Sequence, residues 1–514
     1  MSVIPGQPYS DTISRPIEPG ARIWFLHLLM LIALSLAVTV WVVLLVAGVR
    51  GYELEEFITG AAFFGVACAF FVVSRVTAGF QSFFEIPVFM TVMAFVMFGA
   101  APISCFLDPD ALSPNLRGDT SLLHLALQIV IVGMVAFWLG AVVARSRKPA
   151  PAVLDPASLP GSAPQMLTLA FGVGLMIAGF IARVYMLRSG MYGFLESFNV
   201  TQTRMAEVQV WIVIEGFGLF ALLLFGIEAY YHPKDKVRAG LFWGVLASEC
   251  LWGLMSGMKR PLLNNLLAVA LVSSYAKRKL RLRWFALPIL GLIAVYPLMN
   301  NYRSIVRSRV TDYVTSVSAA TEAMQGAAGR AVRRGGTASD WLASGWSSAV
   351  TRLDMTQDVA LLLAYRDRSY MLEGDWRLWM IPFYPFVPRF IWRNKPIQNI
   401  GGRFTRLLGG QETTCTSPTI PGDLYLLHGG IPGMLAGMFL VGLVCQWLTN
   451  PVKLCPSKRN LFIYGCMFFE AANWENDFFA YSTGLIRTFV IVQVLALIIY
   501  GPARTSLRSR PPAA

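Results

Sequence analysis

Residues 241–300 read LFWGVLASECLWGLMSGMKRPLLNNLLAVALVSSYAKRKLRLRWFALPILGLIAVYPLMN, and two short breaks inside that stretch decide the fold. Three apolar blocks, 239–257, 261–276 and 284–300, approach the about twenty residues that span ~30 Å of hydrocarbon. The first break, Ser256-Gly257-Met258-Lys259-Arg260, is only a turn long, whereas the second carries Lys277, Arg278, Lys279, Arg281 and Arg283. Basic residues collect in short loops on the cytoplasmic side of a membrane, so the second break reads as inside and the first as outside.

Outward from this hairpin pair the same pattern repeats. Apolar blocks at 23–48, 58–74, 84–106, 122–144, 165–187, 209–231, 429–448, 460–474 and 480–500 raise the expected total to about twelve spans. With the N-terminus inside, the cytoplasmic connections hold Arg75, then Arg145, Arg147 and Lys148, then Lys234, Lys236 and Arg238, then Lys453, Lys458 and Arg459, and finally Arg504, Arg508 and Arg510. The opposite connections carry Glu53, Glu55, Glu56, Asp108, Asp110, Asp119, Glu475 and Asp477. The expected fold is an all-α polytopic membrane protein with both termini cytoplasmic. Its parts are a tail over 1–22, nine spans over 23–300, one large outer loop domain over 301–419, three spans over 420–500 and a basic tail over 501–514.

Composition excludes the alternatives. A chain that is 55% hydrophobic and 14% charged, with mean hydropathy +0.56, is far from the quarter-charged profile of a soluble domain. The formal charge of +14 lies in clusters between apolar blocks, so it reads as topology and not as a nucleic-acid footprint. Seven Cys without a CxxC pair and four scattered His give no metal-ligand spacing, so neither metal nor cofactor is expected. The polar first twenty residues lead into an apolar run too long for a signal-peptide core, and nothing is expected to be removed.

Chemistry is expected at the outer end. Lys259 and Arg260 sit on a very short outer hairpin, against the positive-inside tendency. They read either as a snorkelling pair or as an anion site, with the guanidinium forking onto phosphate oxygens. Arg303 and Arg307, four apart, share a face if the ninth helix continues outward, and attract either lipid phosphates or a ligand. Arg389, Arg393, Arg403 and Arg406 punctuate an aromatic, Pro-rich segment (375–396) and the turn after it. That segment cannot be one regular helix and reads as interfacial or re-entrant. Asp423, Tyr425 and His428 are candidates for proton transfer, Asp423 equally for a helix cap and His428 for a structural bond. Glu215, Glu249 and Glu470 fall within spans and either form a proton pathway or pair with a bundle Arg such as Arg183. Cys105 and Cys415 both fall on the outer side, within reach of an oxidising compartment.

The dozen spans, the single large outer loop, PRFIWRNKP (388–396) within it and GDLYLLHGGIPGMLAGMFLVG (422–442) opening the next span together resemble the O-antigen and exopolysaccharide repeat-unit polymerases of bacterial inner membranes. The hairpin Ser256-Gly257-Met258-Lys259-Arg260 is similar to the Ser/Thr-Gly-Ser-Arg hairpin of the wider polymerase and O-antigen ligase superfamily, which places Arg260 on its basic position. The resemblance implies a glycosyltransferase that joins undecaprenyl-pyrophosphate-linked oligosaccharide repeat units at the periplasmic face, without nucleotide sugar or metal. On this reading Arg260, with Lys259 and some of Arg303, Arg307, Arg389 and Arg403, is expected to bind the pyrophosphate, Asp423 or His428 to serve the acceptor, and Arg393 and Tyr425 to contact substrate. A flippase and a chain-length regulator are implied as partners. The His-Asn pair of the ligases is replaced here by Thr419-Ile420, which leaves ligase as the secondary reading and a lipid-linked oligosaccharide flippase or secondary transporter as the rival.

Overall fold

The computed structural model describes residues 52–76, 83–106, 116, 121–146, 165–193, 205–277, 283–308, 317–333, 338–365, 383, 387, 392, 401, 404–405, 418–454 and 457–501. Every regular element among them is helical. In chain order these are α1 (Tyr52–Val76), α2 (Ile86–Phe95), a π-helical turn (Val96–Ala100), α3 (Ala101–Phe106), α4 (Ser121–Val143), α5 (Gln165–Arg188), α6 (Met205–Glu215), α7 (Phe217–Tyr231), α8 (Lys236–Met255) and α9 (Lys259–Lys277). They continue with α10 (Arg283–Ser308), α11 (Val317–Arg333), α12 (Ala338–Leu353), α13 (Thr356–Tyr365), α14 (Thr419–Leu427), α15 (Gly430–Leu454), α16 (Lys458–Ala471) and α17 (Phe478–Tyr500).

Among the described residues seven stretches are long and apolar enough to cross a membrane: Phe57–Arg75, Ile86–Ile103, Ser121–Val143, Leu167–Arg188, Glu207–Tyr231, Gly430–Leu454 and Phe478–Tyr500. The chain is an all-helical, membrane-embedded protein. Four helices on blocks also read as spans are more polar or shorter. α8 carries Lys236, Arg238 and Glu249, α9 opens on Lys259-Arg260, and α10 runs past residue 300 to Ser308. α16 has only fourteen residues. The block at 23–48 lies outside the described residues.

Lipid offers helices no hydrophobic reason to associate, so close packing of small residues holds a bundle together. The tightest pair here is α4 with α15. A Cβ on Gly140 would stand 2.0 Å from the Phe439 carbonyl oxygen, and one on Gly442 would stand 2.0 Å from the Phe137 carbonyl oxygen. Backbone meets backbone at both places, and no side chain can yield to make room. Gly140→Val is expected to drive α4 off α15 and cost about 1–3 kcal/mol or more, as overpacking does. The readout is a lower unfolding temperature of the purified protein, and an unchanged one would show that the crossing is looser than described.

The connections assigned to one membrane side by their charge meet at one end of the bundle. Arg75 donates to Gln446 (2.7 Å), Gln446 to Asn450 (2.9 Å) and Asn450 to the Ala144 carbonyl (2.9 Å). Lys453 pairs with Glu85 (2.6 Å), while Glu228 receives both Arg238 (3.0 Å) and Lys458 (2.9 Å). Four of these contacts, Arg75–Gln446, Asn450–Ala144, Lys453–Glu85 and Lys458–Glu228, tie helix ends more than two hundred residues apart in sequence, as an up-and-down bundle requires.

At the opposite end a second core lies under α11, where Ala320, Ala323 and Ala327 pack on Met186, Tyr192, Trp252 and Tyr302. α11 is amphipathic with small residues on its buried stripe, so it can lie close against α10. The α12–α13 junction is fastened to the bundle by Met355, whose N–H donates to the Met97 carbonyl (3.3 Å) inside the π turn. A wide turn frees carbonyls from the regular ladder, and here the α12–α13 junction takes one of them.

Candidate functional site

The α8–α9 hairpin is built to hold two cations in place. Gly257 turns the chain at φ +67°, Ser256 Oγ donates to the Gly253 carbonyl (2.7 Å) and accepts the Met258 N–H (3.1 Å), and α9 begins at once with Lys259. Facing it is one stripe of α10, on which Tyr296, Asn300 and Arg303 follow at spacings of four and three. The Lys259 ammonium lies 2.8 Å from the Tyr296 ring centroid and donates to Asn300 Oδ1 (3.3 Å). Arg303 Nε donates to the Gly257 carbonyl (2.8 Å), and Tyr302 Oη to the Met255 carbonyl (3.0 Å). Arg307 is the next position along that stripe.

Arg260 is exposed and reaches the α16–α17 loop. Its Nη2 donates to the Phe469 carbonyl (3.4 Å), and with the Asn473 amide oxygen turned toward it Nη1 and Nη2 donate at 2.9 and 3.2 Å. Trp474 pins that loop from below, fully buried and donating Nε1 to the Met90 carbonyl (2.7 Å). Glu475 follows it in the loop.

Charge then decides how these groups titrate. Burial pulls Lys259 down to about 7, with Arg303 and Arg352 adding to the fall and Glu475 opposing it. Arg352, exposed at the end of α12, and Glu475 also act on Asp358 in the first turn of α13. Burial raises the Asp358 carboxyl to about 7; Arg352 opposes this, while Asp354 and Glu475 add to it. A lysine and a carboxylic acid that both titrate near neutrality therefore answer to the same two neighbours. Strongly shifted titratable groups cluster at functional sites.

Asp423 and His428 lie elsewhere in the packing. Asp423 is sealed: its Oδ2 accepts the Phe478 N–H (2.9 Å) at the start of α17, and its Oδ1 is buried without a hydrogen-bond partner among the described residues. Burial, reinforced by Asp477, raises its carboxyl well above the usual range. His428 is 4% exposed, with Nδ1 3.4 Å from the Asp423 carbonyl, and burial lowers its imidazole. Neither reaches solvent, and Asp423 clamps α14 to α17 as a cap contributed from another helix. Asp477, also raised by burial, caps α17 through the Ala480 N–H (2.7 Å). Tyr425 is half-buried against the main core. After it, Gly429 (φ +101°) and Gly430 (φ +70°) make the elbow into α15, a conformation side chains avoid.

Of the expected site residues, Lys259, Arg260 and Arg303 come together at one end of the bundle. Arg389, Arg393, Arg403 and Arg406 lie outside the described residues, as does Cys415. The intramembrane acids resolve toward pairing: Arg183 Nη1 and Nη2 grip the two oxygens of Glu249, and its Nε lies 3.6 Å from Glu215. Glu470 sits at the C-terminal end of α16, beside Gly484. Tyr296 and Asn300 were legible as lying on the face of Arg303 but were not singled out. Asp358 gave no signal in sequence, since an acid in a helix's first turn reads as a partner of the helix dipole.

A family model described as "Domain of unknown function (DUF8712)" matches residues 186–454. No curated protein and no solved structure matches the chain. The matched region runs from the last turn of α5 to the end of α15, so it takes in Lys259, Arg260, Arg303, Arg352, Asp358, Asp423 and His428. With just over half of the 514 residues matched, the chain belongs to the DUF8712 family.

Proposed function

We propose that this protein is a polysaccharide polymerase of the bacterial inner membrane, joining undecaprenyl-pyrophosphate-linked repeat units at the periplasmic face. The observation that carries this reading is the gathering of Lys259, Arg260, Arg303 and Arg352 at one end of the bundle, with two half-buried acids among them. In the proposed topology about twelve helices span the membrane, both termini are cytoplasmic, and residues 301–419 form the periplasmic domain over that end. Pyrophosphate leaves readily once its charge is met, and guanidinium groups meet it without a metal. Arg260 presents an exposed guanidinium there, while Lys259 supplies a point charge. A flippase that delivers the lipid-linked repeats and a regulator of chain length are the proposed partners. The transporter reading leans on Glu215 and Glu249 as carriers, and Arg183 pairs with both.

The test is a gene deletion complemented with wild type or Arg260→Ala at matched membrane levels, with surface and lipid-linked glycans resolved by size. Loss of one charge-stabilising donor lowers turnover by on the order of 10²-fold. Arg260→Ala is therefore expected to lose long chains and accumulate single lipid-linked repeats outside the membrane. Repeats trapped on the cytoplasmic face would mean a flippase, intact polymer left unattached to lipid A core would mean a ligase, and unaltered glycans on deletion would end the reading.

A further inference from the structure

Lys259 and Arg260 are neighbours at the start of α9, and one step along a helix turns the side chain by about 100°, so each cation needs a holder of its own. Lys259 is held on the α10 side, over the Tyr296 ring and on Asn300 Oδ1. Arg260 turns instead to the α16–α17 loop, residues 472–477. The Phe469 carbonyl that it meets at 3.4 Å lies in the last turn of α16, where carbonyls lack an intrahelical partner. The second acceptor is the Asn473 amide oxygen, 2.9 Å from Nη1 and 3.2 Å from Nη2. The surroundings fix the orientation of that amide. The guanidinium and Asn476 Nδ2 (2.5 Å) both bring donors to it, so the oxygen faces them.

The loop that carries Asn473 is fastened on both sides. Before it, the Ala472 N–H donates to the Phe468 carbonyl (2.8 Å). After it, Trp474 is buried with Nε1 on the Met90 carbonyl (2.7 Å), Asp477 Oδ1 accepts the Ala480 N–H (2.7 Å), and the Phe478 N–H donates to Asp423 Oδ2 (2.9 Å). Asn473 is therefore a fixed acceptor, whereas Arg260 is exposed and has many rotamers to lose. Three of the five guanidinium N–H groups go to the loop, which leaves two for a ligand. The acceptor is also neutral. A carboxylate in its place would hold the guanidinium but cancel the charge that an anion needs, while an amide fixes the fork and leaves it cationic.

We propose that Asn473 is the positioning residue for Arg260, setting its guanidinium in place ahead of the pyrophosphate of the lipid-linked donor. The proposal rests on the polymerase reading, in which Arg260 meets that pyrophosphate. Asn473 acts through Arg260 and not by touching the donor. Its effect is the cost of ordering one long side chain at the moment of binding, about two- to tenfold in affinity.

The experiment is a double-mutant cycle on the full-length protein in nanodiscs, with undecaprenyl pyrophosphate as the probe: wild type, Asn473→Ala, Arg260→Ala and the double variant. Lys259 and Arg303 remain in all four, so binding stays measurable. Asn473→Ala is expected to weaken binding about two- to tenfold where Arg260 is present and to change nothing where Arg260 is alanine, because residues that act through one contact are not additive. In the deletion strain glycan chains should shorten in Asn473→Ala, and the double variant should match Arg260→Ala. Asn473→Ser, whose hydroxyl stops one bond short of the amide oxygen, carries the same cycle if the alanine variant does not accumulate in the membrane. An equal loss in both backgrounds overturns the proposal, since it would come from the loop itself or from Asn473 touching the donor. Unchanged or tighter binding in Asn473→Ala overturns it as well. Failure of the underlying reading looks different: wild type does not bind undecaprenyl pyrophosphate, deletion leaves the glycans unaltered, and the proposal falls with it.

Discussion

Arg183→Met is expected to remove folded protein from the membrane. The substitution strips the guanidinium that stands between Glu249 on α8 and Glu215 on α6, and leaves the buried Glu249 carboxylate without that partner. Arg183 and Glu249 are 6% and 5% exposed, and Gly218 on α7 leaves no slack, since even a Cβ there would lie 2.2 Å from Glu249 Oε1. Breaking one side of a buried pair costs about 3–5 kcal/mol, a large share of the ~5–15 kcal/mol that holds a typical protein folded. The control is Arg183→Met with Glu249→Leu and Glu215→Leu, because replacing all the charges of a buried cluster by apolar groups of similar size is often neutral. Unfolding temperature and yield of the purified protein should fall sharply in the single variant and recover in the triple one. An unchanged midpoint for Arg183→Met would mean that water reaches the pair.

The contrast between what the sequence revealed and what it hid follows from the range of each interaction. Helix positions were legible because twenty apolar residues leave few alternatives in lipid, and the described helices match the expected blocks at 58–74, 122–144 and 165–187 to within a few residues, save for α1 starting earlier at Tyr52. The sidedness of the loops is an expectation of the same kind: Arg75, Arg238 and Lys458 fall in the end turns of α1, α8 and α16, where clustered charge has one dominant use. Arg303 was legible by its distance from Arg307. Asp423 and His428 were legible as unusual residues but not as buried ones, because burial depends on α17 arriving over α14, more than fifty residues away. Asp358 was hidden for the same reason. What singles it out is its shared neighbours, Arg352 from the preceding helix and Glu475 from a loop more than a hundred residues further on.

Undecaprenyl pyrophosphate should bind this protein less well as pH rises through neutrality, and Lys259 should be the cause. In the unliganded protein burial, with Arg303 and Arg352, holds Lys259 near 7. A bound pyrophosphate brings negative charge that favours the ammonium and raises that value. Below the unliganded value the lysine is charged with or without ligand, and affinity is flat. Between the two values binding takes up a proton, so affinity falls with rising pH, by up to about tenfold per pH unit for one coupled proton. Lys259→Arg keeps the charge throughout and should flatten the slope, while Lys259→Gln should be flat and weak. Arg303→Ala removes one of the charges depressing Lys259, so the fall should begin at higher pH although the overall affinity drops. Titrating the four proteins in nanodiscs across neutral pH decides this, and a slope that survives in Lys259→Arg would place the titrating group elsewhere.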